Sequence, residues 1–209
     1  MAGEFLFTLG SRDDVVDSVK GSKIQGRGEP RIAFVGRSNV GKSSLINALL
    51  GQKLARASSE PGKTRCLHGY AWKEPKKIVM DLPGYGYAKQ AKEERDRWAD
   101  FIDLYLRTDE SLERVAILLD SRHGPSEKDL EAIQFFIDES FPLIFIMTKK
   151  DQIKTQSERS KRMREVTDLF RKMGYDEGNI HWVAISDRSS IEKLKKALTE
   201  EAPPTEMKE

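Results

Sequence analysis

The chain has 209 residues, 38% hydrophobic and 33% charged, enough for one α/β domain with a buried core and a heavily charged surface. Its longest apolar run, Leu143-Ile144-Phe145-Ile146-Met147, is too short for a helical membrane span, the N-terminus lacks a secretory signal pattern, and the single cysteine, Cys66, excludes an internal disulfide, so a reducing, cytoplasmic setting is expected. Net charge is only +2, but residues 20–77 hold 13 Lys/Arg against 3 Asp/Glu and residues 148–172 hold 9 against 4, which fits a polyanionic partner such as RNA and equally a solvated basic face.

Residues 1–28 read as an N-terminal extension, in which Phe5-Leu6-Phe7-Thr8 suits an edge strand and Gly21 to Gly28 a loop. The main domain is expected over residues 29–200. Arg31-Ile32-Ala33-Phe34-Val35 has the apolar density of a buried strand, and the apolar spacing of Ser44–Leu50 suits a helix. Residues 52–65 lack periodicity, and a loop of that length in a compact domain is usually functional or mobile. Cys66–Trp72 and Lys77–Leu82 follow as strands. A helix from Lys92 to Arg107 places Trp98, Phe101, Ile102 and Tyr105 on one core-facing stripe. Further strands are expected at Val115–Asp120, Leu143–Thr148 and Ile180–Ile185, alternating with helices at Ser126–Glu139 (Ser126 as cap), Gln156–Met173 and Ser189–Glu200. Residues 201–209 read as a disordered tail. This alternation predicts a parallel, doubly wound α/β sheet with helices on both faces, whose ligands bind beyond the carboxyl ends of the strands.

The candidate site motifs all fall at those ends. Gly36-Arg37-Ser38-Asn39-Val40-Gly41-Lys42-Ser43 is a G-x-x-x-x-G-K-[ST] phosphate loop between a strand and a helix. Its backbone N–H groups would cradle a polyphosphate at the helix N-terminus, with Lys42 reaching the β- and γ-phosphates and Ser43 offering its hydroxyl to Mg²⁺. Asp81-Leu82-Pro83-Gly84 ends a strand as D-x-x-G; the aspartate suits Mg²⁺, and the Gly84 N–H suits contact with a γ-phosphate. Thr64, after Pro61-Gly62-Lys63 in the long loop, would complete the Mg²⁺ shell when that phosphate is present. Thr148-Lys149-Lys150-Asp151 approximates the guanine-reading N-K-x-D motif with threonine first. The Asp151 carboxylate can accept from both N1–H and the N2 amine of guanine, a donor pair adenine lacks, while the Lys149 stem covers a base face. Ile185-Ser186-Asp187 lies where guanine O6 would need a backbone N–H, though Asp187 equally suits turn chemistry before the last helix. His123 and the other two histidines make no metal-ligand spacing with Cys66.

The wording of these motifs resembles the EngB (YsxC/YihA-type) family of ribosome-assembly GTPases, within the translation-factor class. The likeness is carried by Phe34 to Asn47, Pro61-Gly62-Lys63-Thr64, Asp81-Leu82-Pro83-Gly84-Tyr85-Gly86-Tyr87-Ala88-Lys89, Trp98, and Asp120-Ser121-Arg122-His123. That family opens its guanine box with threonine, as Thr148 does here. The resemblance implies a single P-loop GTPase domain with a six-stranded sheet and one antiparallel edge strand. It implies that GTP is hydrolysed to GDP with Mg²⁺, coupled to maturation of the large ribosomal subunit and so to normal growth and division. The partner would be a large-subunit precursor or its ribosomal RNA; no membrane or DNA partner is expected, and a monomer is.

On this reading the nucleotide set is Gly36, Arg37, Ser38, Asn39, Val40, Gly41, Lys42, Ser43, Ser44, Gly62, Lys63, Thr64, Asp81, Leu82, Pro83, Gly84, Thr148, Lys149, Lys150, Asp151, Ile185, Ser186 and Asp187. Lys42, Thr64, Gly84 and Asn39 carry the catalytic roles, and Ser43, Thr64 and Asp81 the metal. Tyr85 stands where some GTPases place a water-orienting glutamine. Slow intrinsic turnover is therefore expected, helped either by the ribosomal partner or by a K⁺ held through Asn39. Two rival readings remain: an RNA-docking module whose turnover is incidental, and a P-loop kinase for a small metabolite.

Overall fold

The computed structural model describes residues 3–19, 28–55, 66–85 and 92–200. In chain order it contains β1 (Glu4–Leu9), α1 (Arg12–Val19), β2 (Arg31–Gly36), α2 (Lys42–Leu50), β3 (Leu67–Trp72) and β4 (Lys77–Asp81). There follow α3 (Lys92–Thr108), β5 (Leu112–Asp120), α4 (Glu127–Asp138), β6 (Leu143–Thr148), α5 (Gln156–Lys172), β7 (Ile180–Trp182) and α6 (Arg188–Thr199). The strands form one sheet in the order β1-β3-β4-β2-β5-β6-β7. Neighbours from β4 through β7 pair in parallel, and β3 runs antiparallel to both β4 and β1.

The six-stranded sheet implied by the resemblance is thus seven-stranded, and the antiparallel strand is second from the edge. The physical reason is β1, which covers the outer N–H and C=O groups of β3 that would otherwise be unpaired. Phe7 pairs with Gly69, and a Cβ on Gly69 would lie 2.4 Å from the Phe7 ring. The glycine that weakens β3 as a strand sequence is what lets an aromatic ring lie flat on it. Val15 of α1 is fully buried, and α1 packs against α3, so the N-terminal residues join the domain's own core.

Both faces of the sheet are covered, which is why the central strands are apolar at nearly every position between their charged or polar ends. Side chains alternate between faces with period two. Ile32 and Phe34 of β2, Ala116 and Leu118 of β5, and Ile144 and Ile146 of β6 face α2 and α6, meeting Leu45, Ile46, Leu49, Ile191, Leu194 and Leu198. Ala33, Val35, Val115, Ile117, Phe145 and Met147 face α1, α3, α4 and α5. There Phe145 stacks on Phe170 with ring centroids 4.0 Å apart. Each fully buried Val, Leu, Ile, Phe or Met among them contributes about 1.5–3 kcal/mol. In the expected α3 stripe, Phe101, Ile102 and Tyr105 are buried as predicted; the Trp98 side chain lies outside the described residues.

The last strand ends at Trp182, not at Ile185. Val183 N–H still bonds Met147 O at 2.8 Å, but the next N–H, that of Ala184, goes to Ser190 Oγ at 3.2 Å, and the chain turns into α6. Parallel pairing brings the ends of β2, β4, β5 and β6 to one side: Phe34 pairs with Asp81, Gly36 with Leu118, and Asp120 with Thr148. Among the described residues no helix is long and apolar enough to cross a membrane.

Candidate nucleotide-binding site

At the carboxyl end of β2 the chain turns through Asn39 (φ 63°) and Gly41 (φ 104°) before entering α2. The contrast between helix starts is informative. Helices α4 and α5 each begin with a full capping box, Ser126 with Asp129 and Thr155 with Glu158. Helix α2 begins at Gly41 with no side-chain cap and no acidic residue in its first turn. Its first N–H groups and its positive dipole end are therefore left for an anion.

Lys42, the first residue of α2, is ion-paired with Asp81 at the end of β4, and both side chains are largely buried. Ser43 is the next residue along the helix. A carboxylate and a hydroxyl are the hard oxygen donors that Mg²⁺ accepts when substrate phosphates and water complete its shell. No cluster of three or more His, Cys, Asp or Glu among the described residues offers an alternative all-protein metal cage. The residues present therefore fit the ion.

Gly84 lies directly beneath the phosphate loop: a Cβ there would sit 2.8 Å from Gly36 O and 3.3 Å from Ser38 N. Only a bare α-carbon permits that approach, and the adjoining Tyr85 makes a parallel bridge with Arg37. The Tyr85 phenol donates to Asp129 Oδ1 at 2.8 Å. Burial beside the Asp129 carboxylate holds its ionisation far above the ordinary tyrosine value.

The Thr148–Asp151 segment is fastened to the phosphate loop by two side chains. Thr148, buried, places Oγ1 2.7 Å from Val40 O and 3.1 Å from Leu119 O. Lys149, in the left-handed conformation at φ 60°, reaches Asn39 O at 2.7 Å and Asp120 Oδ2 at 2.9 Å. Asp151 is exposed in the short 3-10 turn Lys150–Gln152, and Lys150 N–H bonds Val183 O. The loop and the segment after β6 therefore form one continuous rim above the sheet.

Asp187 caps α6, accepting from Ser189 N–H at 3.0 Å, which is the turn chemistry foreseen as its alternative role. Ile185 and Ser186 are exposed beside it. Gly62, Lys63 and Thr64 lie outside the described residues, as do Gly86 to Lys89.

Three supporting residues were not singled out from sequence for these tasks. Asp120 grips Lys149 and receives both Nε and Nη2 of Arg122, at 2.9 and 2.6 Å. Burial works against its charge, but the hydrogen bonds from Arg122 and Lys149 outweigh that and hold its carboxyl well below the ordinary value. Asn47 of α2 clasps the chain leaving the helix, accepting from Leu54 and Ala55 N–H and donating to Ala55 O, all within 2.8 Å. Asp129 holds Tyr85. A strand-end D-x-R pattern was a usable signal for the Asp120–Arg122 pair; the other two depend on contacts that no local pattern reveals.

With this geometry in view, the likenesses are consistent. Residues 31–149 match the family model described as 50S ribosome-binding GTPase. A probable GTP-binding protein EngB from Maridesulfovibrio salexigens is 48% identical over 143 residues, covering 68% of this chain and 71% of that protein. The one from Streptococcus agalactiae is 41% identical over 167 residues, covering 78% and 81%. A crystal structure of a probable GTP-binding protein EngB superposes with a TM-score of 0.61 at 25% identity, over 80% of this chain and 96% of that one. Aquifex aeolicus Era bound to GDP and AlF4⁻ shares the fold, with a TM-score of 0.65 at 24% identity over 85% of this chain and 60% of that one. A phosphate loop joined to a guanine-type box on a mostly parallel sheet is thus what the sequence kinship leads one to expect, and the chain belongs to the EngB family of GTP-binding GTPases.

Proposed function

We propose that this GTPase is a switch protein acting in assembly of the large ribosomal subunit in the cytoplasm, with its nucleotide machinery within residues 29–200 and with β1 and α1 completing the same sheet and core. One observation carries the nucleotide part: Thr148 and Lys149 bond the carbonyls of Val40 and Asn39, so a single ligand spanning the rim meets uncapped helix N–H groups at one end and the Asp151 carboxylate at the other. That ligand has a polyphosphate and a base with two adjacent donors, which is guanine. The description of the matching family, 50S ribosome-binding GTPase, and the basic blocks at residues 20–77 and 148–172 support a large-subunit RNA partner.

In this reading Lys42 leaves Asp81 for the β- and γ-phosphates, and Asp81 is freed to hold Mg²⁺ together with Ser43, so one buried ion pair is exchanged for contacts to a charged ligand. Bound there, the ion would neutralise charge on the phosphate oxygens. Gly84 presents its N–H to the γ-phosphate from its close seat under the loop. Thr64 closes over the same phosphate before hydrolysis and releases after it. Gly36, Arg37, Ser38 and Ser44 line the phosphate side in this reading, and Gly62 and Lys63 are assigned to the same nucleotide set from sequence alone; Leu82 and Pro83 shape the D-x-x-G turn; Lys150, Ile185, Ser186 and Asp187 flank the base. Tyr85, committed to Asp129, does not orient an attacking water, which supports slow intrinsic turnover. Asn39, exposed on the loop, holds a K⁺ against the phosphates in this reading.

The test is co-sedimentation with large-subunit precursors under a non-hydrolysable GTP analogue and under GDP, with turnover measured in K⁺ and in Na⁺. Selective association under the analogue, and faster turnover with K⁺ or with the particles, is expected. Equal association in both nucleotide states, with no acceleration, contradicts the switch.

A further inference from the structure

The Asp129 carboxylate is unusual for a capping residue. In α5 the equivalent capping side chain, Glu158, is exposed and serves only its own helix start. Asp129 is 4% exposed and serves three elements. Its Oδ2 accepts from Ser126 N–H at 2.8 Å and from Ser126 Oγ at 2.6 Å, closing the capping box of α4. Its Oδ1 accepts from the Tyr85 phenol, forty-four residues earlier, at 2.8 Å. Arg37 of the phosphate loop comes to the same place, with Nη1 3.2 Å from Ser126 Oγ and 4.0 Å from Asp129 Oδ2. Tyr85 is the residue after Gly84, and its backbone is bridged to Arg37. Both sides of the narrow contact between Gly84 and the loop are therefore tied to one buried carboxylate on a helix outside the nucleotide site.

From this geometry we infer that Asp129 is a positioning residue for γ-phosphate recognition. It anchors Tyr85, and through Tyr85 fixes where the Gly84 N–H stands relative to the phosphate loop. The inference rests on the reading above that Gly84 meets the γ-phosphate. GDP has no group at that position, so the anchor bears on the GTP-bound state and not on the diphosphate. The carboxylate is suited to this. It has two acceptor oxygens, one for the helix cap and one for the phenol, and burial keeps water from replacing the phenol. Loosening the anchor lets Gly84 drift, and the protein then grips GTP less well while holding GDP as before.

The experiment compares the dissociation constants of a GTP analogue and of GDP, with Mg²⁺ present, for the full chain and five variants. Tyr85→Phe keeps the ring and removes only the hydroxyl. It is expected to weaken the analogue about five- to ten-fold with GDP unchanged within about two-fold. Asp129→Ala is expected to show the same selective loss, and the double variant no more than either single one. Ser126→Ala, which removes the helix cap and the Arg37 bond to Ser126 Oγ but leaves the Tyr85 contact, is expected to lower the melting temperature without changing the ratio of the two constants. Gly84→Ala separates this inference from the reading beneath it. If Gly84→Ala weakens the analogue selectively and Tyr85→Phe does not, the positioning role of Asp129 is wrong while the γ-phosphate contact stands. If Gly84→Ala leaves the ratio unchanged, the contact itself is wrong and the inference falls with it. Should Asp129→Ala not fold, Tyr85→Phe decides alone.

Discussion

Replacing Thr148 by valine removes one oxygen and leaves the volume of a buried side chain nearly unchanged. The hydroxyl sits 2.7 Å from Val40 O and 3.1 Å from Leu119 O, so its single proton is shared between a carbonyl of the phosphate loop and one at the end of β5. Thr148 is only 4% exposed, so no solvent takes its place. Leaving a buried acceptor without its donor costs about 1–3 kcal/mol, and we take about 2 kcal/mol for this site. For a chain of this size that corresponds to a fall in melting temperature of about 4–8 °C. The Val40 carbonyl belongs to the peptide that presents the Gly41 N–H, so its reorientation also reaches the ligand. GDP affinity should drop about ten-fold, the equivalent of ~1.4 kcal/mol. Calorimetric melting and titration of a fluorescent GDP derivative read the two effects, with Thr148→Ser as the variant that retains both. A valine variant as stable and as tight-binding as the parent would show that the bond from β6 to the loop does nothing, and the joined rim would lose its basis.

Two further outcomes follow from other polar groups. Arg31 and Asp109 form a nearly dry ion pair, 2.9 Å apart with side chains 4% and 2% exposed. Asp109→Ala leaves the guanidinium buried and unpaired and should cost about 3–5 kcal/mol in urea unfolding, whereas replacing both residues by apolar ones should cost far less. Asp120 is held ionised below its ordinary value of 3.8 by Arg122 and Lys149 against the effect of burial. A depressed folded value means that its contribution to stability is complete above the unfolded value and is lost as pH falls through the folded one. Asp120→Asn should therefore lower stability at neutral pH and flatten the acid side of the stability profile below about pH 4, while a profile unchanged in shape would contradict the assignment.

The legible parts of the molecule are those whose physics is local. Arg31–Val35, Val115–Asp120 and Leu143–Thr148 are apolar at nearly every position because both faces of a parallel strand are covered, and their strand assignments hold. The phosphate loop is readable because glycine and lysine at fixed spacing answer a backbone requirement. Ser126 is readable as a cap because capping lies within three residues. What stayed hidden depends on partners distant in the chain. Gly69 weakens β3 by propensity, and only the ring of Phe7, some sixty residues earlier, explains it. The strand after Ile180 stops early because Ser190 takes an N–H that the ladder would have used. Tyr85 could be read as a poor substitute for a water-orienting group, but its attachment to Asp129 spans forty-four residues and follows no periodicity.

The central claim is that a carboxylate on the rim selects the base. Asp151→Asn turns one of its two acceptor oxygens into a donor, which faces the guanine N2 amine unfavourably and the O2 of xanthine favourably. Competition of GTP, ATP and xanthosine triphosphate against a fluorescent nucleotide measures this in one assay, on the parent protein and on the variant. The account predicts that ATP fails to compete with the parent, and that the variant loses about 100-fold or more in GTP affinity while gaining affinity for xanthosine triphosphate. ATP competing as well as GTP, or a variant that still prefers GTP as strongly as its parent, would contradict it.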